Sequence, residues 1–446
     1  MDNFVYTCFA KENFGSVDVT EKAFGARNFV RNMMLVEAAL ARVQARLGII
    51  PQEAADEITK NCDINLITGE QYVEQMEIVG TPVVALVRLY KDLCAGDAGQ
   101  YIHYATTTQD ITDTALVLQM RDAWKIIREK TVKLRDLLEE RCEQYRDLVC
   151  IGRTNDQQAL PITMGFKFAT WVDALNRSIQ RMDEAEKRIM TLQFGGAVGT
   201  LAALNGRGVE VLEELAKELD LTCPDVSWFA TRDRLIEYTS VLAILTTDLG
   251  RIGNEVYINS KSEIGEIVEG QKAGTVGSST MPHKRNPFVA SQVVALGRSV
   301  RSTVQDIMCS AEATNERDSR AISSENYAID RVTKICDAAL DMTLNLVSNM
   351  EIHNDAIERN LNLLHGLIFT EALMMYLSDQ IGRLEAHDII HELSMEAIAN
   401  NVSITSLILA DPRLAGRISE EEIVKIMNPA DYVGESSAFI DRVLHK

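Results

Sequence analysis

GSSTMPHKRNPFVASQVVALGRSVRSTVQDI, residues 277–307, changes character a third of the way along. Its first eleven residues are polar and end at Pro287, a residue suited to the first turn of a helix. The remainder carries Val289, Val293, Leu296, Val300, Val304 and Ile307, apolar positions that step by four and three. Phe168, Val172, Leu175, Ile179, Met182 and Ile189 repeat that rhythm, and so do Met120, Trp124, Ile127, Thr131, Leu134 and Leu138. Period-two alternation is scarce. Stripes of this spacing, kept up over about thirty residues, mean long helices packed nearly parallel, and they predict an all-α fold built on a central long-helix bundle. A coiled coil with a separate partner explains them less well, because helices of one chain can bury each other.

The stripes are interrupted at Gly96–Gln100, Ile151–Pro161, Gln193–Gly206 and Gly265–Pro287. The last break holds Gly265, Gly270, Gly274 and Gly277 in a polar stretch between two helices and is expected to be mobile. Three parts follow: a small N-terminal helical domain over 1–105, the bundle over 106–350, and a smaller C-terminal helical domain over 351–446. A chain of 446 residues is too long for one small core.

With 46% apolar and 25% charged residues the composition is that of a globular protein. No run of about eighteen apolar residues occurs, so no membrane span is expected. The opening MDNFVYTCFAKENFG lacks a basic segment followed by an apolar one, which predicts no secretory signal. Eight cysteines lie scattered without metal-ligand spacing, which predicts reduced thiols, no metal and a cytoplasmic location. A net charge of −20 opposes nucleic-acid and anionic-lipid partners. An anionic substrate would have to be met by basic residues gathered locally, which makes those inside motifs the informative ones.

Gly277-Ser-Ser-Thr-Met-Pro-His-Lys-Arg-Asn-Pro287 resembles, at every fixed position, the GSSxMPxKxNP loop of the fumarase/aspartase superfamily. Other blocks follow in the family's order. His103-Tyr-Ala-Thr-Thr-Thr-Gln-Asp110, with Asp113-Thr-Ala after it, is similar to H-x-G-A-T-S-x-D…DTA, and Gly152-Arg-Thr-Asn-Asp-Gln-Gln-Ala-Leu-Pro161 to GRTHxQxAxP. Gly196-Ala-Val-Gly-Thr200, Arg232-Asp-Arg234, Val36-Glu-Ala-Ala-Leu-Ala41 and Asn428-Pro-Ala-Asp-Tyr-Val-Gly434 fill further slots. The resemblance runs the length of the chain. It implies a three-domain helical subunit, a homotetramer whose active sites are each shared by three subunits, a small dicarboxylate or tricarboxylate substrate, and no cofactor.

The family's chemistry is an anti β-elimination. Taking a proton from carbon beside a carboxylate builds an aci-carboxylate dianion, which needs a base and donors aimed at the carboxylate oxygens. By the resemblance Ser278 is that base as an oxyanion, Lys284 stabilises it with help from loop N–H groups, and Asn286 donates to the carboxylate. Ser279 belongs to the same loop and is assigned to substrate binding. Thr107 and Thr108 offer hydroxyls at a helix start, where the helix dipole favours an anion; simple N-capping is the plainer reading. Arg232 and Arg153 suit either anion binding or a structural ion pair. His283 suits either substrate contact or helix capping, and His103 is a further candidate for substrate contact.

The departures concern the acid. The family's proton-donating histidine and the glutamate that holds it are replaced by Asn155 and Ser291, and asparagine donates no proton near neutral pH. Gln158 stands where adenylosuccinate lyase-type members often carry a second histidine. Asn155 and Gln158 remain candidates for polar contact with substrate. Gly80-Thr-Pro-Val-Val-Ala-Leu-Val87 looks like the cycloisomerase branch, yet Phe229 replaces a histidine of that branch. The leaving group either needs little protonation, departs already protonated, or takes a proton from water; the sequence does not separate these. The expected activity is a C–N lyase releasing fumarate from an N-substituted aspartate or other succinyl amine. The alternatives are a 3-carboxy-cis,cis-muconate-type cycloisomerase, an iminodicarboxylate epimerase, or a non-catalytic structural protein, which intact Ser278, Lys284 and Asn286 argue against.

Overall fold

The structure, a computed structural model, describes residues 18–271, 274 and 277–445. The N-terminal segment that bears on a secretory signal, and four positions of the break expected to be mobile (272, 273, 275 and 276), lie outside them. Sixteen α-helices fall within the described residues. In order they are α1 (Ala26–Arg46), α2 (Gln52–Lys60), α3 (Gly69–Val79), α4 (Pro82–Leu93), α5 (Thr108–Gln144), α6 (Met164–Ile189), α7 (Gly208–Leu219) and α8 (Asp233–Asn259). Then come α9 (Phe288–Ser310), α10 (Ser319–Asn349), α11 (Asn354–Asn362), α12 (Thr370–Ile381), α13 (Arg383–Asn400), α14 (Ile404–Ala410), α15 (Glu420–Ile426) and α16 (Ser436–Leu444). Four short strands make two antiparallel pairs: β1 (Val149–Thr154) with β2 (Gln157–Thr163), and β3 (Ile267–Val268) with β4 (Glu351–Ile352). The fold is all-α.

The helical stripes are the core. All six apolar positions read in α6 are buried, as are all six in α5. In α9, five of the six are buried, Val289 at the first turn being the exception. Among the described residues no single helix is long and apolar enough to cross a membrane. Local signals set the ends. Thr68 caps α3 in a capping box with Gln71, Gly80 ends that helix at φ 70°, and Pro82 opens α4. The stretch Gly80–Val87 is thus a helix stop followed at once by a helix start.

The chain divides into two compact units, each assembled from separate stretches. The first comprises residues 1–132, 177–250 and 292–342; the second comprises 133–176, 251–291 and 343–446. In the first, Trp124 of α5 packs against Tyr238 of α8 with ring centres 5.4 Å apart, and the Tyr238 hydroxyl bonds Thr333 of α10. In the second, helices α12–α15 gather Ile368, Leu373, Leu377, Ile389, Leu393, Ile404 and Ile423 into one apolar cluster that Ile151 of β1 joins.

The segment Ile151–Pro161, read as a break, is the β1–β2 hairpin. Asn155 (φ 51°) and Asp156 (φ 63°) form its two-residue turn between the paired residues Thr154 and Gln157. Two positive φ angles in a two-residue hairpin loop are the type I′ arrangement, for which Asn and Asp are suited. The alternation expected of a strand is weak here because β2 contributes mostly half-buried positions.

The described parts of Gly265–Pro287 are tied down. Ile267 and Val268 pair with Ile352 and Glu351, and the Glu269 carboxylate accepts the Val289 and Ala290 N–H groups at 3.1 and 3.0 Å, capping α9.

Candidate active site

The residues singled out by sequence fall into two sets. Ser278, Ser279, His283, Lys284, Asn286, Asn155 and Gln158 belong to the second unit; His103, Thr107, Thr108 and Arg232 belong to the first.

In the second unit, the loop 277–287 closes on itself. Asn286 Nδ2 donates to the Gly277 carbonyl at 2.7 Å, and a Cβ on Gly277 would run into the Lys284 carbonyl, so only glycine lets the two ends approach. Arg285 fixes the exit of the loop by a two-pronged bond to Glu351 at 3.1 and 2.9 Å. Ser278, half-buried, has its Oγ turned back into the loop, where it accepts the N–H of Met281 at 3.1 Å and, more weakly, that of Thr280 at 3.4 Å. Ser279, His283 and Lys284 are exposed, and none has a hydrogen bond or ion pair from its side chain among the described residues. Among the described residues no hydrogen bond joins Lys284 to Ser278.

Asn155 is exposed at the hairpin tip, where its left-handed backbone is itself a reason for asparagine. Gln158 Oε1 is buried without a hydrogen-bond partner among the described residues. The neighbouring Arg153 is committed elsewhere: it grips the fully buried Glu266 at 2.5 and 3.0 Å, and Asn360 binds the same carboxylate at 2.7 Å. Of its two readings, the ion pair is the one observed.

In the first unit, Thr107 and Thr108 sit at the start of α5, as the motif requires. Asp110 organises them. Its carboxylate accepts the Thr107 N–H (2.9 Å), the Thr106 hydroxyl (2.9 Å), and the N–H groups of Gly195 (2.7 Å) and Gly196 (3.0 Å). Burial pushes the Asp110 carboxyl up to about 6 while these donors pull the other way. Gly196 lies at φ 69°, so the GAVG block is a turn whose backbone is hung from α5. Thr108 Oγ1 has no partner among the described residues.

Sequence reading passed over Arg317. Its Nη1 donates to Thr107 Oγ1 at 3.1 Å and its Nη2 to the Ala197 carbonyl at 2.9 Å, while its charge lies 4.8 Å from the centre of the Phe229 ring. Phe229, the residue in place of the branch histidine, supplies an aromatic face for this cation. The available signal was an arginine in the short polar segment between two long stripes.

Arg232 requires a correction. Assigned to substrate, it is only 2% exposed, and its guanidinium is used by Asp113 (2.7 and 3.1 Å) and Glu325 (2.9 Å). It ties α5 to α10 as a buried clamp. His103 is gripped by a carboxylate. Its Nδ1 lies 2.7 Å from Glu37 Oε1 and its backbone N–H donates to Glu37 Oε2 at 3.0 Å.

The arrangement offers a serine oxygen backed by N–H donors and, separately, a helix start with hydroxyls and an arginine suited to a carboxylate. Comparison with known proteins gives the family. The family described as Lyase matches residues 12–302, and that described as Adenylosuccinate lyase C-terminus matches 366–443. Adenylosuccinate lyase of Methanocaldococcus jannaschii is 36% identical over 95% of this chain and 92% of its own. An N-acetyl-S-(2-succino)cysteine lyase of Enterococcus italicus is 33% identical over 93% and 91%. The crystal structure of 3-carboxy-cis,cis-muconate lactonizing enzyme from Pseudomonas putida superposes with a TM-score of 0.91 at 30% identity, covering 98% of both chains. The chain belongs to the fumarase/aspartase superfamily.

Proposed function

We propose that this protein catalyses reversible anti β-elimination on a succinyl amine, an N-substituted aspartate, releasing fumarate, with Ser278 as the base. The observation that carries this reading is the environment of Ser278 Oγ, which accepts N–H bonds from Met281 and Thr280 inside a loop closed by Asn286 and Arg285. An alkoxide is costly in water, and oriented backbone N–H groups lower that cost. Lys284, six residues on, adds its charge when the loop closes over substrate. Thr107, Thr108 and Arg317 suit the carboxylate that the reaction retains. The relatives whose names specify a succinyl nitrogen or a succinyl sulfur support the same half of the substrate with different leaving groups.

A lactonising cycloisomerase is the second reading, favoured by the fold similarity to the P. putida enzyme and by the Gly80–Val87 block. Incubation with a panel of succinyl amines, succinyl thiols and 3-carboxy-cis,cis-muconate, followed by proton NMR, tests both. Fumarate signals from a succinyl amine are expected. A lactone formed from the muconate, with no fumarate from any succinyl compound, would replace the first reading by the second.

A further inference from the structure

Seven histidines occur in the sequence, and only His387 and His391 stand four residues apart, in the stretch His387-Asp388-Ile389-Ile390-His391. That separation is about one helical turn, which puts two side chains on the same face. Both residues lie within α13, in the second unit, clear of either end of the helix.

The opposite face of α13 is held down. Ala386, Ile389, Ile390, Leu393 and Ala397 are buried in the apolar cluster of that unit. The helix is therefore a fixed platform, and the histidine pair sits on its outer side. His387 keeps 62% of its side-chain surface, and His391 is exposed as well. The two rings lie nearly parallel, at 10°, with their centres 6.2 Å apart. His387 Nδ1 lies 3.2 Å from Asp388 Oδ1. A carboxylate only accepts, so in the neutral ring Nδ1 carries the proton and Nε2 keeps its lone pair. A carboxylate on the far nitrogen is what orients a metal-binding imidazole and raises its basicity. Protonated, two rings at this spacing repel and cost the helix stability; a cation shared by two neutral rings reverses the sign.

We propose that His387 and His391, with Asp388 orienting the first, form a two-point chelate for a late first-row divalent ion, zinc or copper(II). Imidazole nitrogen suits both ions, and two histidines one turn apart on a helix are a known way of holding zinc. Zinc sits about 2.0–2.1 Å from such a nitrogen, and rotation about the side-chain bonds brings the rings to it while the helix stays in place. Among the described residues no group of three or more His, Cys, Asp or Glu is assembled to hold a metal. Glu392, beside His391, is taken by Arg413 at 2.7 Å. The protein thus supplies two ligands and water the rest, which makes the site exchangeable and not a closed structural one. It stands independently of the elimination reading.

Calorimetric titration of the full chain with zinc chloride at neutral pH tests the proposal. One ion bound per chain at this site is expected, with a thermal midpoint that rises as zinc is added, because the ion favours the folded helix. Chelation also predicts a pattern. His387→Gln, His391→Gln and the double variant should each lose about tenfold or more in affinity, all to the same level, since a single ring holds the ion weakly and the two losses do not add. Asp388→Ala should weaken binding by less than the loss of either ring. All three side chains face solvent, so the metal-free thermal midpoint should match that of wild type in every variant. Unchanged affinity in Asp388→Ala overturns its orienting role. Partial losses that add in the double variant overturn the chelate, as does the lack of any zinc-dependent heat or midpoint shift in wild type. Binding that survives intact in the double variant places the zinc elsewhere, as on the exposed thiols of Cys223 and Cys309, and overturns the site altogether.

Discussion

In the reaction we propose, Ser278 acts as an oxyanion that its surroundings must stabilise, and the Met281 and Thr280 N–H groups already point at the oxygen. Replacing Ser278 by alanine removes the proposed proton acceptor and leaves the Asn286 and Arg285 clamps of the loop in place. Turnover is expected to fall at least about a thousandfold with little change in substrate affinity; turnover within tenfold of wild type would show another base. His103 makes a separate prediction about stability. Its folded-state titration lies above the unfolded value, so the pair with Glu37 adds stability that is fully present below about 6.5 and is lost as pH rises through the raised folded value. His103→Asn should therefore lower the urea midpoint more at pH 6 than at pH 9. Equal losses at both would mean that the ring is neutral in the folded protein.

At the scale of elements, the β1–β2 hairpin and α9 carry the two positions where the usual acid and its holder are missing. Asn155 occupies a left-handed turn position at φ 51°, which glycine also adopts without strain and a β-branched residue does not. Asn155→Gly is expected to leave the thermal midpoint nearly unchanged, whereas Asn155→Val should cost about 1–2 kcal/mol in denaturant unfolding. The catalytic question is separate. Ser291 lies in the first turn of α9 and bonds back to the Phe288 carbonyl at 2.8 Å. Installing both family residues, Asn155→His with Ser291→Glu, is expected not to raise turnover, because the reaction we propose runs without an imidazole at position 155. A gain of tenfold or more on the native substrate would show that the hairpin is the place for the acid after all.

At the scale of the whole molecule, the loop of Ser278 and the threonine-bearing helix start belong to different compact units of the chain. The family resemblance implies a homotetramer whose sites are completed by neighbouring subunits, and this remains our proposal for the assembly. Ser278→Ala protein and a Thr107→Val/Thr108→Val double variant, each inactive alone, should regain part of the activity when subunits are mixed and allowed to exchange. Sedimentation showing a fully active monomer would contradict shared sites. With a net charge of −20, attraction for the carboxylate substrate we propose has to come from cations placed locally, not from the protein's overall field.

The helices were legible in sequence because burial along a helix repeats every three to four residues, and residues such as Val172, Leu175 and Leu134 report that period directly. The loop 277–287 was legible because its residue types recur as a contiguous block. The β1–β2 hairpin was not, since strands of six and seven residues with half-buried faces give little alternation, although Asn155-Asp156 is the right dipeptide for its turn. Pairings over long separations were out of reach for a different reason. Nothing local distinguishes an arginine that meets a ligand from one such as Arg232, enclosed by Asp113 and Glu325, or marks Arg317 as the partner of Thr107 two hundred and ten positions away. Glu37 reads locally as a stray charge on an apolar helix. Only the packing of α1 against the loop before α5 brings it within 2.7 Å of His103, because which charge is neutralised by which is decided by distance in space and not along the chain.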